Sequence, residues 1–542
     1  MLQRIKIVVL SLVMISTLSC SEDFLETKPT DAISAADALS SVANMRLILN
    51  GLHRQMYAQS PIPGGSASRA GEHYFIPLGD VLTGDLIHSA PANGWMTSEL
   101  QWNSHNVSTS LTSEQLWYQR YHFITSVNSI INQVQEDGLA IDENLSDVLG
   151  QSYAYRAWSY YRLVTAYAKG YIIGDPATDP GVPLLFATEP PFTSEARATV
   201  AEVYAQMEKD IDQAITYFEG ADPRGNGSAK IKSQLNINAA YGIKARIALS
   251  KGDWATAASS AALARNGYPL MNEADWLSGF NTNELPEVIW GGNVISTETT
   301  FFRSYFYLIS PTFNGSQNRG NPKLVNKEMY DMLPDTDYRT KAFLPDAPNT
   351  NSSASNDQGG SFESDPNYDT EEEFEAAFDA IISKYGMTPQ HNTHPYMHVK
   401  FLNKNPGTID PDDVIYMRSA EMYLIEAEAK AMSNDITGAK AALDALGSAR
   451  DSAFDIDQYN TQAELMEQIK FQRYIELYGE GFSYTDHIRW DEGIDLTNSG
   501  AAAVLYQDGF MQDKPSVNDD WIFKIPQAEI DANPNINEAD QN

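Results

Sequence analysis

Paired apolar stripes at helical spacing constrain this chain more than any other feature. Leu149, Tyr153, Ala157, Tyr160 and Val164 recur at steps of three and four, which marks one buried face of a helix. Upstream, Leu116, Tyr121, Ile124, Val127, Ile131 and Val134 form a second stripe, and Asp142-Glu143-Asn144 lies in the connection between the two. Val203, Met207, Ile211, Ala214 and Ile215 pair with Ile237, Ala240, Ile243 and Ile247 across the Gly/Asn-rich stretch 220–228. Lys251-Gly252-Asp253 is a tight break before Trp254, Ala258, Ala261 and Ala262. Near the C-terminal end, Ala420, Leu424, Ala427 and Ala431 precede the break Ser433-Asn434-Asp435. Ile436, Ala439, Leu443 and Leu446 follow it, and Leu465, Ile469 and Leu477 mark one more helix.

Helix, short break, helix, with Ala at the close contacts, is how tetratricopeptide-type hairpins are built. One hairpin cannot bury its own face, so such units stack. The expected fold is mainly α: tetratricopeptide-like helical hairpins forming a superhelical scaffold, with long loop-rich insertions and a few short strands. The scaffold is expected at about 37–60, 112–170, 199–266 and 412–490 of a single body spanning 20–542. Between these lie insertions at about 61–111 and 268–411, where helical periodicity is weak and Gly, Pro, Asn and aromatic residues are frequent. Short strands are expected at 287–294 and 521–525. Long loops on a rigid helical frame are where binding residues usually sit.

The first residues set the compartment. Arg4 and Lys6 precede an apolar run from Ile7 to Leu18, which is too short to cross a bilayer of ~30 Å as a helix. A basic start, a short apolar stretch and the small Ser19 read as a secretory signal peptide over 1–19. Cys20 follows at once and is the only cysteine in the chain. That placement predicts lipidation of Cys20 and attachment to a membrane through its acyl chains, since two or more such chains hold a protein stably. Ser21-Glu22-Asp23 is similar to the surface-export signal of Bacteroidetes lipoproteins. With a single thiol there is no disulfide, so the fold must be held by packing. A net charge of −35 repels phosphate backbones, which argues against nucleic acid as a partner.

Catalytic signals are absent. There is no G-x-S-x-G, no phosphate loop and no H-E-x-x-H. Glu476, Glu480, Asp486 and Arg489 form an acid/base-like group, as do Arg156, Arg418 and Glu421. Both sets are expected to be structural ion pairs, because such networks need not be catalytic. His391, His394 and His398 surround Pro395 and lack ligand spacing, so no metal is expected there. Asp175 with Asp179, and Asp410 with Asp412 and Asp413, lack the Gly-centred loop of a calcium site and are expected to serve turns. No catalytic residue, metal or cofactor is expected.

Five segments carry a family resemblance. Cys20-Ser-Glu-Asp-Phe-Leu-Glu-Thr-Lys-Pro resembles the mature start of SusD/RagB proteins. Tyr153-Ala-Tyr-Arg-Ala-Trp-Ser-Tyr-Tyr-Arg-Leu-Val and Arg418-Ser-Ala-Glu-Met-Tyr-Leu-Ile-Glu-Ala-Glu-Ala resemble two of their helices. Gln472-Arg-Tyr-Ile-Glu-Leu-Tyr-Gly-Glu-Gly-Phe, with Asp486 and Arg489-Trp490 beyond, is similar to their C-terminal signature, and Ile525-Pro-Gln-Ala-Glu-Ile-Asp-Ala-Asn-Pro to their closing segment. Ser483-Tyr484-Thr485 stands where the family often has Arg-Trp-Phe. The resemblance implies a surface-exposed lipoprotein of the outer membrane. It would capture an oligosaccharide, or a peptide, and deliver it to a SusC-like TonB-dependent transporter.

Trp and Tyr offer flat, rigid faces to the apolar side of a sugar ring. Trp95 lies in the polar loop Pro91-Ala-Asn-Gly-Trp, and Asn93 beside it could reach hydroxyls. Trp102 follows, and Phe301, Phe302, Tyr305 and Tyr307 cluster in the second insertion. The candidate ligand-binding residues are therefore Asn93, Trp95, Trp102, Tyr305 and Tyr307, with Trp158, Trp254 and Trp290 assigned to the core. Two rivals stand beside this reading: a lipid-anchored glycoside hydrolase, which needs only two well-placed carboxylates, and a helical-repeat adaptor that binds other proteins.

Overall fold

Side-chain caps and left-handed turns decide where each helix begins and ends. The computed structural model describes residues 38–58, 71–90, 94–187, 194–221, 229–297, 304–350, 360, 362–501, 505 and 516–542. The expected signal peptide 1–19, Cys20 and Asn93 lie outside the described residues. Among the described residues, thirteen helices build or border the frame. They are α1 (Val42–Tyr57), α2 (Glu72–Thr83), α3 (Leu111–Asp137), α4 (Glu143–Tyr167), α5 (Val200–Glu219), α6 (Ile237–Lys251), α7 (Trp254–Ala264), α8 (Tyr305–Ile309), α9 (Glu371–Tyr385), α10 (Ser419–Met432), α11 (Ile436–Arg450), α12 (Gln462–Glu476) and α13 (Ser483–Trp490).

The hairpin turns share one device. At the α6–α7 turn Gly252 adopts φ 79°, and Asp253 then caps α7 by accepting the Thr256 N–H at 3.2 Å. At the α10–α11 turn Asn434 adopts φ 62°, and Asp435 caps α11 through the Gly438 N–H at 2.9 Å. A residue that tolerates the left-handed region closes one helix, and an aspartate opens the next. Capping boxes start α5 (Thr199 with Glu202) and α12 (Thr461 with Glu464).

The hairpins stack in chain order: α3 on α4, α4 on α5, α5 on α6, α6 on α7, α7 on α10, and α10 on both α11 and α12. Small residues set the spacing. Ala420, Ala427, Ala431, Ala439 and Ala442 are buried among Leu424, Leu443, Leu446 and Leu465 at the C-terminal end of the stack. A Cβ on Gly150 would sit 2.8 Å from the Phe218 ring, so the α4–α5 crossing requires glycine there. The mainly α scaffold implied by the stripes is thus present. Trp158 and Trp290 are buried, whereas Trp254 is only partly so.

Strands are few and short. β1 (Ile87–His88), β3 (Lys323–Leu324), β5 (Met397–His398) and β4 (Phe343–Leu344) form one antiparallel sheet in the order β1-β3-β5-β4. β2 (Val288–Gly292) pairs antiparallel with β6 (Val414–Arg418), with Val288 opposite Arg418 and Gly292 opposite Val414. The strand expected at 287–294 is this β2. The one expected at 521–525 is not a strand: Phe523 and Lys524 donate their N–H groups to the Ala166 and His105 carbonyls. The last turn of α4 and the loop before α3, not a neighbouring strand, satisfy that backbone.

A buried ion network ties the loop-rich segments to the stack. Glu476, at the end of α12 and fully buried, accepts from Arg339 at 2.9 Å, Arg418 at 2.6 Å and Arg450 at 3.1 Å. Glu287 lies against Arg418 at 2.8 Å and Arg450 at 2.5 Å, while Glu480 holds Arg418 and Lys400, each at 2.7 Å. The Trp276 indole N–H donates to Glu476 at 3.1 Å. Burial pushes the Glu476 carboxyl up, and the guanidiniums of Arg450, Arg418 and Arg339 outweigh it, holding the group well below its ordinary 4.5. A depressed native value contributes stability above the unfolded value, and that contribution is lost as pH falls through the native value. Glu476→Ala would leave three buried guanidiniums short of an acceptor. It is expected to cost about 3–5 kcal/mol at pH 7, read as a lower urea midpoint, with the difference from wild type shrinking below pH 4.5. An unchanged midpoint at pH 7 would contradict this role.

Candidate ligand-binding site

The loop after β1 carries one aromatic outward and two large neighbours inward. Gly94 (φ 79°) turns the chain, and Met96 (φ 61°) and Trp102 (φ 57°) both adopt the left-handed conformation. For residues with a Cβ that conformation costs roughly 1–2 kcal/mol each, so their surroundings must impose it. Met96 and Trp102 are both buried. The Trp102 indole N–H donates to the Leu82 carbonyl at 2.9 Å, and its ring meets Trp521 and His105 edge-on, each at 5.0 Å. Between them Glu99 is buried, accepting from the Tyr74 hydroxyl at 2.6 Å and the Thr112 hydroxyl at 2.8 Å. With both ends driven into the core, Trp95 is held on the rim, partly buried.

The second insertion supplies the floor. The Ser304 hydroxyl caps α8 through the Tyr307 N–H, and all five residues of Tyr-Phe-Tyr-Leu-Ile are buried. Trp95 meets Tyr307 edge-on with centroids 6.4 Å apart, and Tyr307 in turn meets Phe313 edge-on at 5.9 Å. A Cβ on Gly315 would lie 2.9 Å from the Tyr307 ring, so glycine lets the next loop close over it. That loop presents Asn314 and Arg319, both partly exposed and joined by an Nη1–H to Oδ1 hydrogen bond of 3.0 Å. The Asn321 amide oxygen accepts from the Ser89 and Ala90 N–H groups at 3.0 and 3.3 Å, which fastens the Trp95 loop to the second insertion. Lys323 donates to the Asn321 carbonyl at 2.9 Å, and burial pushes its ammonium down to about 7.

Of the sequence-derived candidates that are described, the structure brings Trp95 and Tyr307 together and places Trp102 and Tyr305 apart from them. Trp102 faces Trp521 and the C-terminal segment, at 1% exposure. Tyr305 points the other way from Tyr307, donating its hydroxyl to the Gly479 carbonyl at 2.9 Å and packing on Phe401 at 5.6 Å. Trp102, Tyr305 and Tyr307 are all buried, so their rings pack within the frame rather than offering an open face. Sequence reasoning missed Asn314, Arg319 and Asn321. The dense polar run Asn314-Gly-Ser-Gln-Asn-Arg-Gly-Asn321, directly after the aromatic cluster, is the signal that marks them.

The acid/base-like groups lie elsewhere and are internally paired. Asp486 holds Arg473 at 2.7 Å and Arg489 at 3.0 Å, and Arg489 also reaches Glu428. Arg246 pairs with Glu421 at 2.7 Å, and Arg156 with Asp210 at 2.6 Å. The three histidines face separate backbone carbonyls: His391 that of Phe313, His394 that of Pro395, and His398 that of Ile309. Among the described residues no helix is long and apolar enough to cross a membrane.

This arrangement of helix stack and inserted loops has known counterparts. The family model described as "SusD family" matches residues 205–542, and a second, described as "Starch-binding associating with outer membrane", matches residues 23–249. The chain belongs to the SusD family. A SusD-like carbohydrate binding protein from Bacteroides vulgatus superposes with a TM-score of 0.71 at 21% identity, covering 92% of this chain and 98% of its own. A SusD superfamily protein from Bacteroides thetaiotaomicron gives 0.70 at 20% identity, covering 93% and 99%. Surface glycan-binding protein A from Bacteroides thetaiotaomicron, in complex with laminarihexaose, gives 0.61 at 16% identity, covering 91% and 98%. No curated protein matches the sequence. At these identities the structural likeness speaks to the fold; the SusD assignment itself rests on the family match.

Proposed function

We propose that this SusD-family chain is a non-catalytic, surface-exposed lipoprotein of the outer membrane that binds an oligosaccharide. It would pass the glycan to a SusC-like TonB-dependent transporter. The observation that carries the glycan reading is the Trp95 rim: a partly exposed indole whose loop is locked by buried Met96, Glu99 and Trp102 and whose edge rests on Tyr307. A preorganised aromatic face suits the apolar side of a pyranose at low entropic cost. Asn314 and Arg319, with Asn93 from outside the described residues, would supply hydrogen bonds to hydroxyls. The neighbour that carries laminarihexaose supports the ligand class. Pairing of Glu476, Glu480 and Asp486 with arginines supports a binding role over hydrolysis.

Trp95→Ala is expected to weaken glycan binding at least tenfold, about 1.4 kcal/mol, in calorimetric titration against the best ligand from a glycan array. The melting temperature should stay nearly unchanged, because Trp95 is only partly buried. Full binding by Trp95→Ala, or new reducing ends in the incubated glycan, would contradict the reading. For the anchor, mass spectrometry of membrane-extracted protein is expected to show an acylated N-terminal Cys20; a free thiol on an uncleaved chain would refute it.

A further inference from the structure

A cavity of about 300 Å³ opens between α2, α12 and α13, and none of the Trp95 rim residues lines it. Its size falls at the lower end of small-molecule sites. One wall is apolar, formed by Met329, Phe471 and Trp490. The other carries five carboxylates and two cations, and both cations are paired within the wall. Lys470 pairs with Glu467 and Glu492, and Arg473 binds Asp486 through Nε at 2.7 Å and Nη2 at 2.9 Å.

Two carboxylates are left over. Asp80 is buried and caps the start of α13, accepting from the Gly481 and Ser483 N–H groups at 3.0 and 3.3 Å and from the Ser483 hydroxyl at 2.8 Å. Asp85 lies beside it, within hydrogen-bond reach of the Ser483 side chain, and the Lys400 charge acts on Asp80, but neither carboxylate has an ion-pair partner within 4 Å among the described residues. Burial pushes Asp80 up to about 6; burial and then the Asp80 charge push Asp85 well above the ordinary range. A cation placed between them would reverse that penalty. A second feature points to a ligand. Arg473 is 3% exposed and lines the same cavity, and its Nη1 has no hydrogen-bond partner. Buried polar atoms are normally satisfied, so an acceptor oxygen suits this position. A bare metal ion fits poorly here, because it would face a guanidinium and make no use of the apolar wall.

We propose that this cavity binds a small organic ammonium bearing an adjacent oxygen, with the amine at Asp80 and Asp85 and the oxygen at Arg473 Nη1. An amino sugar and the amino end of a peptide share this chemistry. The site is independent of the Trp95 rim and stands or falls separately from the glycan reading.

The test is calorimetric titration of the full chain at pH 7 with glucosamine, glycinamide, glucose and N-acetylglucosamine. Glucosamine or glycinamide is expected to bind, with glucose and N-acetylglucosamine at least tenfold weaker because they lack a free ammonium. Binding of glucosamine alone assigns a sugar source, and binding of glycinamide alone a peptide source. Asp85→Asn should weaken the amine at least tenfold, and Trp95→Ala should leave it unchanged. The proposal is overturned if neither amine binds, if glucose binds as well as glucosamine, if Asp85→Asn retains full affinity, or if Trp95→Ala abolishes amine binding. Should Asp85→Asn fail to fold, the wild-type comparison of glucosamine with glucose decides alone.

Discussion

The buried charge around Glu476 is the constraint on which the rest of the structure depends. Three guanidiniums converge on one carboxylate at full burial, and each comes from a different part of the chain: Arg339 from the second insertion, Arg418 from the end of β6, and Arg450 from the end of α11. Each charge would be costly alone in that interior, and together they are tolerable only in one arrangement. The network therefore fixes how the loop-rich insertion sits on the helix stack. Directly after Glu476 the chain makes a turn that several elements read through its backbone. Arg418 and Lys400 donate to the Glu476 carbonyl, Lys400 also to that of Tyr478, and the Tyr305 hydroxyl to that of Gly479. Gly481 donates to Asp80 of α2.

That turn explains two glycines. Gly479 and Gly481 have φ of 79° and 82°. A Cβ on Gly479 would fall 2.4 Å from the Phe401 ring, and one on Gly481 would fall 2.5 Å from the Ile76 carbonyl oxygen. The sequence Tyr478-Gly-Glu-Gly-Phe482 is thus a packing device, with each glycine admitting a neighbour and Glu480 adding the acceptor for Arg418 and Lys400. Through Tyr305 the same turn positions α8, and through α8 it positions Tyr307 beneath Trp95. The Trp95 rim and the charged centre are joined by this short mechanical path.

How much was legible in the sequence follows from which signals are local. Helical stripes, the Gly252-Asp253 and Asn434-Asp435 breaks and the Ala contacts are short-range patterns, and they located the stacked helices. Residues 521–525 look like a strand because Trp-Ile-Phe-Lys-Ile has β-type composition. The partner that would make it a strand is a long-range matter, and carbonyls from the last turn of α4 and the loop before α3 took its place. The same limit applies to the aromatics. Trp95 and Trp102 sit seven residues apart in similar polar surroundings, and only the left-handed backbone at Trp102, with the Trp521 ring waiting for it, sends one inward. Arg473 and Asp85 are unremarkable in sequence, because what distinguishes them is one unbonded guanidinium nitrogen and one carboxylate without an ion pair among the described residues.

The most direct measurement on this account is a crystal structure of the chain with a bound oligosaccharide. The account predicts a pyranose ring lying against the Trp95 indole, with the backbone of residues 94–102 and 304–320 where it stands in the free chain. A sugar seated away from Trp95, or a Trp95 ring folded into the core with the sugar bound elsewhere, would contradict it.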